Sequence, residues 1–95
     1  MRLQGRKTFI TGAAKGIGLS VAQAFAAEGA AVALADISGE ESREQSLDIS
    51  ERFGVNAIGV ECDVADSKSV ENAIATAAKT FDGVDTIACM AATLT

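Results

Sequence analysis

The 95-residue chain has no histidine, tyrosine, tryptophan or proline. Any general acid or base must then be Asp, Glu, Lys or Cys. A Ser-His-Asp or Cys-His nucleophile system and a His-containing zinc site all depend on imidazole and are excluded. Cysteine is scarce as well. Cys62 and Cys89 lack C-x-x-C spacing and sit in apolar sequence, which predicts two small buried hydrophobes. No apolar run approaches the roughly 20 residues of a membrane-spanning helix, and no hydrophobic signal region follows Met1. These absences predict a cytoplasmic protein without a targeting segment.

Hydrophobic residues make up 48% of the chain and charged residues 22%, the balance of one soluble globular domain spanning residues 1–95. Thirteen acids against eight bases give a net charge of −5. That balance argues against a nucleic-acid partner, because such binders neutralise phosphates with clustered cations. The charge is uneven. Arg2, Arg6, Lys7 and Lys15 make the first 15 residues +4, and the other 80 carry −9.

Along the chain, residues 7–11 (KTFIT) read as a buried strand bounded by Gly5 and Gly12. A helix follows between Gly16 and Gly29, with Ile17, Val21, Ala24 and Phe25 at helical spacing and Gly29 at its left-handed end. Residues 31–36 (AVALAD) are continuously apolar up to Asp36, as a parallel strand covered on both faces should be. Ser38 and Glu41 form a capping-box pattern that opens a polar helix running to about Phe53, with Leu47, Ile49 and Phe53 as its apolar positions. A third strand over 57–62 leads to a third helix, capped by Asp66 or Ser67 and striped by Val70, Ile74, Ala78 and Phe81. Residues 85–91 (DTIACMA) form a fourth strand. This alternation predicts an α/β fold with a parallel sheet and right-handed crossovers.

Residues 11–18 (TGAAKGIG) lie between the first strand and the first helix, where backbone N–H groups and the helix dipole suit a pyrophosphate. Gly12 lets the chain leave the strand sharply. Gly16 removes a Cβ that would hold phosphate away, and Gly18 allows close packing of the helix on the sheet. Lys15 adds a nearby cation. Three residues rather than four separate Gly12 from Gly16, and Leu19 follows Gly18, so the loop is not a Walker A phosphate loop. A glycine-rich turn can also serve packing alone. Asp36 adds a second signal: it ends the second strand 18 residues after Gly18, near the offset of about 20 at which an acid meets ribose hydroxyls. A carboxylate accepts hydrogen bonds from a 2′-OH and repels a 2′-phosphate, so NAD is expected over NADP.

These residues resemble the short-chain dehydrogenase/reductase family, whose T-G-x-x-x-G-x-G signature stands here as Thr11 to Gly18. The family's acidic switch for NAD falls on Asp36, and its acid-valine pair at the adenine falls on Asp63 and Val64. The family's D-x-L-V-N-N-A-G strand corresponds to Asp85–Ala92, with Cys89 and Met90 in place of two asparagines and Ala92 in place of glycine. The resemblance implies a Rossmann-type sheet of order 3-2-1-4. It also implies a dinucleotide site of Gly12, Lys15, Gly16, Ile17, Gly18, Asp36, Ile37, Asp63, Val64 and Ala91. By resemblance, the activity is hydride transfer between a nicotinamide cofactor and an alcohol or carbonyl carbon, with a serine, a tyrosine and a lysine at the substrate. With no tyrosine in this sequence, no catalytic residue is expected in it. A non-catalytic nucleotide-binding or regulatory module on the same fold is the alternative.

In this order the fourth strand is an edge, apolar on both faces, that the remainder of a dehydrogenase or a second copy of the chain would cover. The expectation is an incomplete cofactor-binding domain, inactive alone. The same order puts Cys62 and Cys89 three strand spacings apart, roughly 14 Å, beyond the ~7 Å reach of a disulfide.

Overall fold

The computed structural model describes residues 3–89. Four strands, β1 (Lys7–Thr11), β2 (Ala31–Asp36), β3 (Ala57–Glu61) and β4 (Thr86–Cys89), alternate with three helices, α1 (Gly16–Ala27), α2 (Gly39–Phe53) and α3 (Ser67–Phe81). The sheet is parallel with order β3-β2-β1-β4, as expected from the sequence. Thr11 stands opposite both Ala35 and Cys89, and Asp36 opposite Glu61, so the strands end level with one another.

Because side chains alternate across a strand, the central strands feed two cores. Phe9, Ala33 and Ala35 pack on one face with Cys62 and with Ala73, Ala77 and Phe81 of α3. Ile10, Val32 and Leu34 pack on the other with Ala22 and Ala26 of α1 and Ile49 of α2.

The buried helix faces agree with the sequence reading at Ile49 and Phe81 and differ elsewhere. On α1 the buried residues are Gly18, Ala22 and Ala26, whereas Ile17 and Ala24 are exposed and Val21 and Phe25 are half-buried. On α2 they are Gly39, Ser42, Ser46 and Ile49, and Leu47 points to solvent. On α3, Ala73 and Ala77 are buried with Phe81, and Val70, Ile74 and Ala78 are half-buried. The reason is steric: small side chains let the helices approach the sheet closely. At β3 a Cβ on Gly59 would run into the backbone carbonyl of Ser42 and the amide of Arg43.

The caps follow local chemistry. Ser38 Oγ accepts the Glu41 N–H at 3.3 Å, and Asp66 caps α3 by accepting from the Lys68 N–H at 3.0 Å. Half of the capping box forms. The Ser38 N–H donates to Asp36 Oδ1 at 3.1 Å, and the Glu41 carboxylate pairs with Lys15 at 3.9 Å.

β3 stops at Glu61, one residue earlier than expected, β4 begins at Thr86, one residue later than expected, and Met90 and Ala91 lie outside the described residues. The start of β4 is pinned to β1, where the Lys7 N–H donates to both Asp85 carboxylate oxygens at 3.2 and 3.3 Å. Cys62 and Cys89 are free thiols at opposite edges of the sheet. Cys62 is buried as expected, but Cys89 is exposed, because it stands on an edge strand against which no described helix packs.

Candidate functional site

The carboxyl ends of β1, β2 and β3 enclose a cleft of about 240 Å³ lined by Gly12, Asp36, Ile37, Cys62, Asp63 and Val64. Three sequence motifs separated by up to 52 positions converge there. A cleft of about 260 Å³ lies at the opposite end of the sheet, between Gly5, Arg6, Lys7, Gly29, Gly54 and Phe81. Its lysine is already engaged, since Lys7 Nζ donates to the Asp82 carbonyl at 3.2 Å. Loops at the carboxyl ends of parallel strands are where such sheets bind ligands.

The glycine turn has a defined shape. Gly12 (φ +65°) and Gly16 (φ +67°) occupy the left-handed region that favours glycine. A Cβ on Gly16 would meet no protein atom within 4 Å, so the space beside it is open to a ligand. A Cβ on Gly18 would strike the Gly12 carbonyl oxygen and lie 2.7 Å from the Gly12 carbonyl carbon. Gly18 therefore seats α1 against the turn itself, where the sequence reading placed the close contact at the sheet. Ala13 and Ala14 of the turn are buried, and the Ala13 N–H donates to the Ala35 carbonyl at 3.2 Å. Lys15, in extended conformation at the N-cap of α1, makes no side-chain cap hydrogen bond, and no acid occupies the first turn. The first-turn amides, which have no partner inside a helix, are thus directed outward from the turn.

The acids are oriented by backbone. Asp36 Oδ2 accepts from the Ala14 N–H and Oδ1 from the Ser38 N–H, each at 3.1 Å. An ionised carboxylate offers about four lone-pair sites, so each oxygen can accept once more. Asp63 Oδ1 accepts from the Ala65 N–H at 3.0 Å, while the Asp63 N–H donates to Ser69 Oγ at 2.9 Å. Cys62 forms part of the cleft wall; burial, then the charges of Asp63, Asp36 and Cys89, push its thiol pKa up from 9.0 and keep it neutral.

The rim is apolar. Ile17, Ile37 and Val64 are 74%, 67% and 51% exposed, three of the five large hydrophobic side chains exposed among the described residues. Lys15 is exposed and leans toward Glu41 at the start of α2. Ala91 is outside the described residues. Sequence reasoning did not single out Cys62, Ser38, Ala14 or Ser69 here. Ser38 alone carried a signal, since an acid commonly bonds the amide two residues on.

Among the described residues no group of three or more His, Cys, Asp or Glu is placed to hold a metal ion, and no helix is long and apolar enough to cross a membrane.

A family model described as enoyl-(acyl carrier protein) reductase matches residues 12–95. The 3-oxoacyl-(acyl-carrier-protein) reductase FabG of Aquifex aeolicus is 32% identical over 85 residues, covering 90% of this chain and 34% of its own length. Galactitol 2-dehydrogenase of Agrobacterium fabrum is 41% identical over 85 residues, covering 90% and 32%. The crystal structure of the NADPH-dependent 3-quinuclidinone reductase of Rhodotorula rubra superposes with a TM-score of 0.85 at 36% identity, covering 90% of this chain and 32% of that one. The chain thus spans about a third of the length of these relatives. With its strand order, its glycine turn and this near-complete match, it belongs to the short-chain dehydrogenase/reductase family.

Proposed function

We propose that this chain is the cofactor-holding part of an NAD-dependent oxidoreductase that moves hydride between a nicotinamide and an alcohol or carbonyl carbon. The convergence of Gly12, Asp36, Ile37, Asp63 and Val64 on one cleft carries the reading. The residues fit a dinucleotide. The open space beside Gly16 admits a phosphate, and the first-turn amides of α1, with Gly18 seating them, supply donors at the positive end of the helix dipole. Asp36 receives the adenosine ribose hydroxyls. Ile37 and Val64 flank the adenine beside Asp63, and Ile17 covers the far side of the turn. Ala91 is assigned to the nicotinamide side from its motif alone.

Three features support NAD over NADP. Asp36 would repel a 2′-phosphate, Glu40 and Glu41 begin the helix beside it, and the Lys15 cation is partly neutralised by Glu41. A bound cofactor would donate or accept the hydride; this chain, with no tyrosine, supplies no phenolic proton donor. The same absence supports the second reading, a nucleotide-binding module that performs no hydride transfer.

The exposed edge of β4, where Ile87 is 53% exposed, supports cover by the rest of an enzyme or by another subunit.

Titration with NADH and NADPH, followed by nicotinamide fluorescence, tests the reading. Tighter binding of NADH is expected. Tighter NADPH would overturn the role given to Asp36, and failure to bind either would overturn the dinucleotide site.

A further inference from the structure

We propose that Asp36 is also a positioning residue: its carboxylate latches the glycine turn into its ligand-ready shape before any ribose arrives. Its two oxygens are divided between two segments. Oδ2 holds the Ala14 N–H in the middle of the turn, and Oδ1 holds the Ser38 N–H at the mouth of α2. Asp36 is itself fixed by its place in β2, opposite Glu61 of β3. One side chain therefore ties the turn, the end of β2 and the start of α2 together.

The turn needs such a tie. It contains two left-handed glycines, which are conformationally permissive, and its interior makes one backbone bond to β2, from Ala13 to Ala35. Without the Asp36 bond, the buried Ala14 amide would lack this partner, a costly state for an N–H shielded from water. The turn would then relax and the first-turn amides of α1 would lose their common aim. The ribose hydroxyls and the turn use different lone pairs of the carboxylate, so both roles coexist.

The inference rests on the dinucleotide reading for its binding arm, and its exchange arm stands apart. Backbone amide exchange of the full chain without ligand, compared with Asp36→Ala and Asp36→Asn, reports the latch directly. In Asp36→Ala the Ala14 and Ser38 amides should exchange faster by about tenfold or more, the size expected for losing a charge-assisted bond, while the Val32 amide inside the sheet keeps its protection. In Asp36→Asn, with one acceptor oxygen left, one of the two amides should lose protection.

In the binding arm, Asp36→Ala should weaken NADH; for NADPH, loss of the latch and relief of the 2′-phosphate repulsion act in opposite directions, so amide exchange decides. Unchanged exchange at both amides in whichever variants fold overturns the latch. Failure of the wild type to bind either cofactor would instead sink the dinucleotide reading and leave the exchange result to judge the latch.

Discussion

Two glycines two positions apart fail for different reasons when given a side chain. Gly16→Ala places its methyl in open space but asks an L-residue to hold φ near +67°, a strain of about 1–2 kcal/mol. The variant should fold with a modestly lowered melting temperature and lose most dinucleotide affinity, because the methyl stands where phosphate would approach. Gly18→Ala has no such space, since its methyl meets the Gly12 carbonyl. It should cost about 1–3 kcal/mol or more in a denaturant titration, before any ligand is added. Cys62 gives a pH signature. Its folded pKa is raised above 9.0, so its contribution to stability is full below the unfolded thiol's pKa and is lost as pH rises through the raised folded value. Melting temperatures from pH 7 to 10 should fall more steeply for the wild type than for Cys62→Ala. At this scale Gly16 and Asp36 were legible, because a motif records which backbone freedoms and charges are needed. The Ala14 partner of Asp36 was not, because it depends on how the glycine turn meets the end of β2, 22 positions away.

The helices and strands themselves were legible, their parallel pairing followed from crossovers too long for hairpins, and the order 3-2-1-4 came from the family resemblance. The faces were legible only in part. Helical spacing drew attention to the large apolar residues of α1 and α2; of these Ile49 is fully buried, Phe25 and Phe53 are half-buried, and Ile17 and Leu47 are exposed, while most of the buried positions are glycine, alanine and serine. Large side chains are visible in a hydrophobic pattern; the small ones that permit close approach are not. The α2–β3 contact makes this testable. Gly59→Ala drives a methyl into the Ser42 carbonyl and should lower stability by about 1–3 kcal/mol. Ser42→Ala removes a buried hydroxyl that has no hydrogen-bond partner among the described residues. It should leave urea stability unchanged or raise it by about 1 kcal/mol, since an unpaired buried hydroxyl is a cost. Ile17, which helical spacing grouped with the apolar residues of α1, is exposed, and Ile37 lines the cleft.

Over the molecule, β4 is the vulnerable border. Ile87 and Cys89 are exposed on a strand whose outer edge has no pairing partner among the described residues. Ile87→Lys, which places a charge there in the way natural edge strands are protected, should reduce self-association in light scattering without changing NADH affinity. The charge map has a longer reach. Arg6 and Lys7 flank the amino ends of the strands, while Asp36, Glu40, Glu41, Glu61, Asp63 and Asp66 crowd the carboxyl ends around the cleft. A dinucleotide carrying phosphates must therefore approach against the field of the whole protein and be captured by dipoles that act within one helical turn. Stopped-flow association of NADH should accordingly quicken as salt is raised from 0.01 to 0.15 M, when the Debye length shrinks from roughly 30 to roughly 8 Å. The site is thus arranged to retain an anion at contact while slowing its arrival.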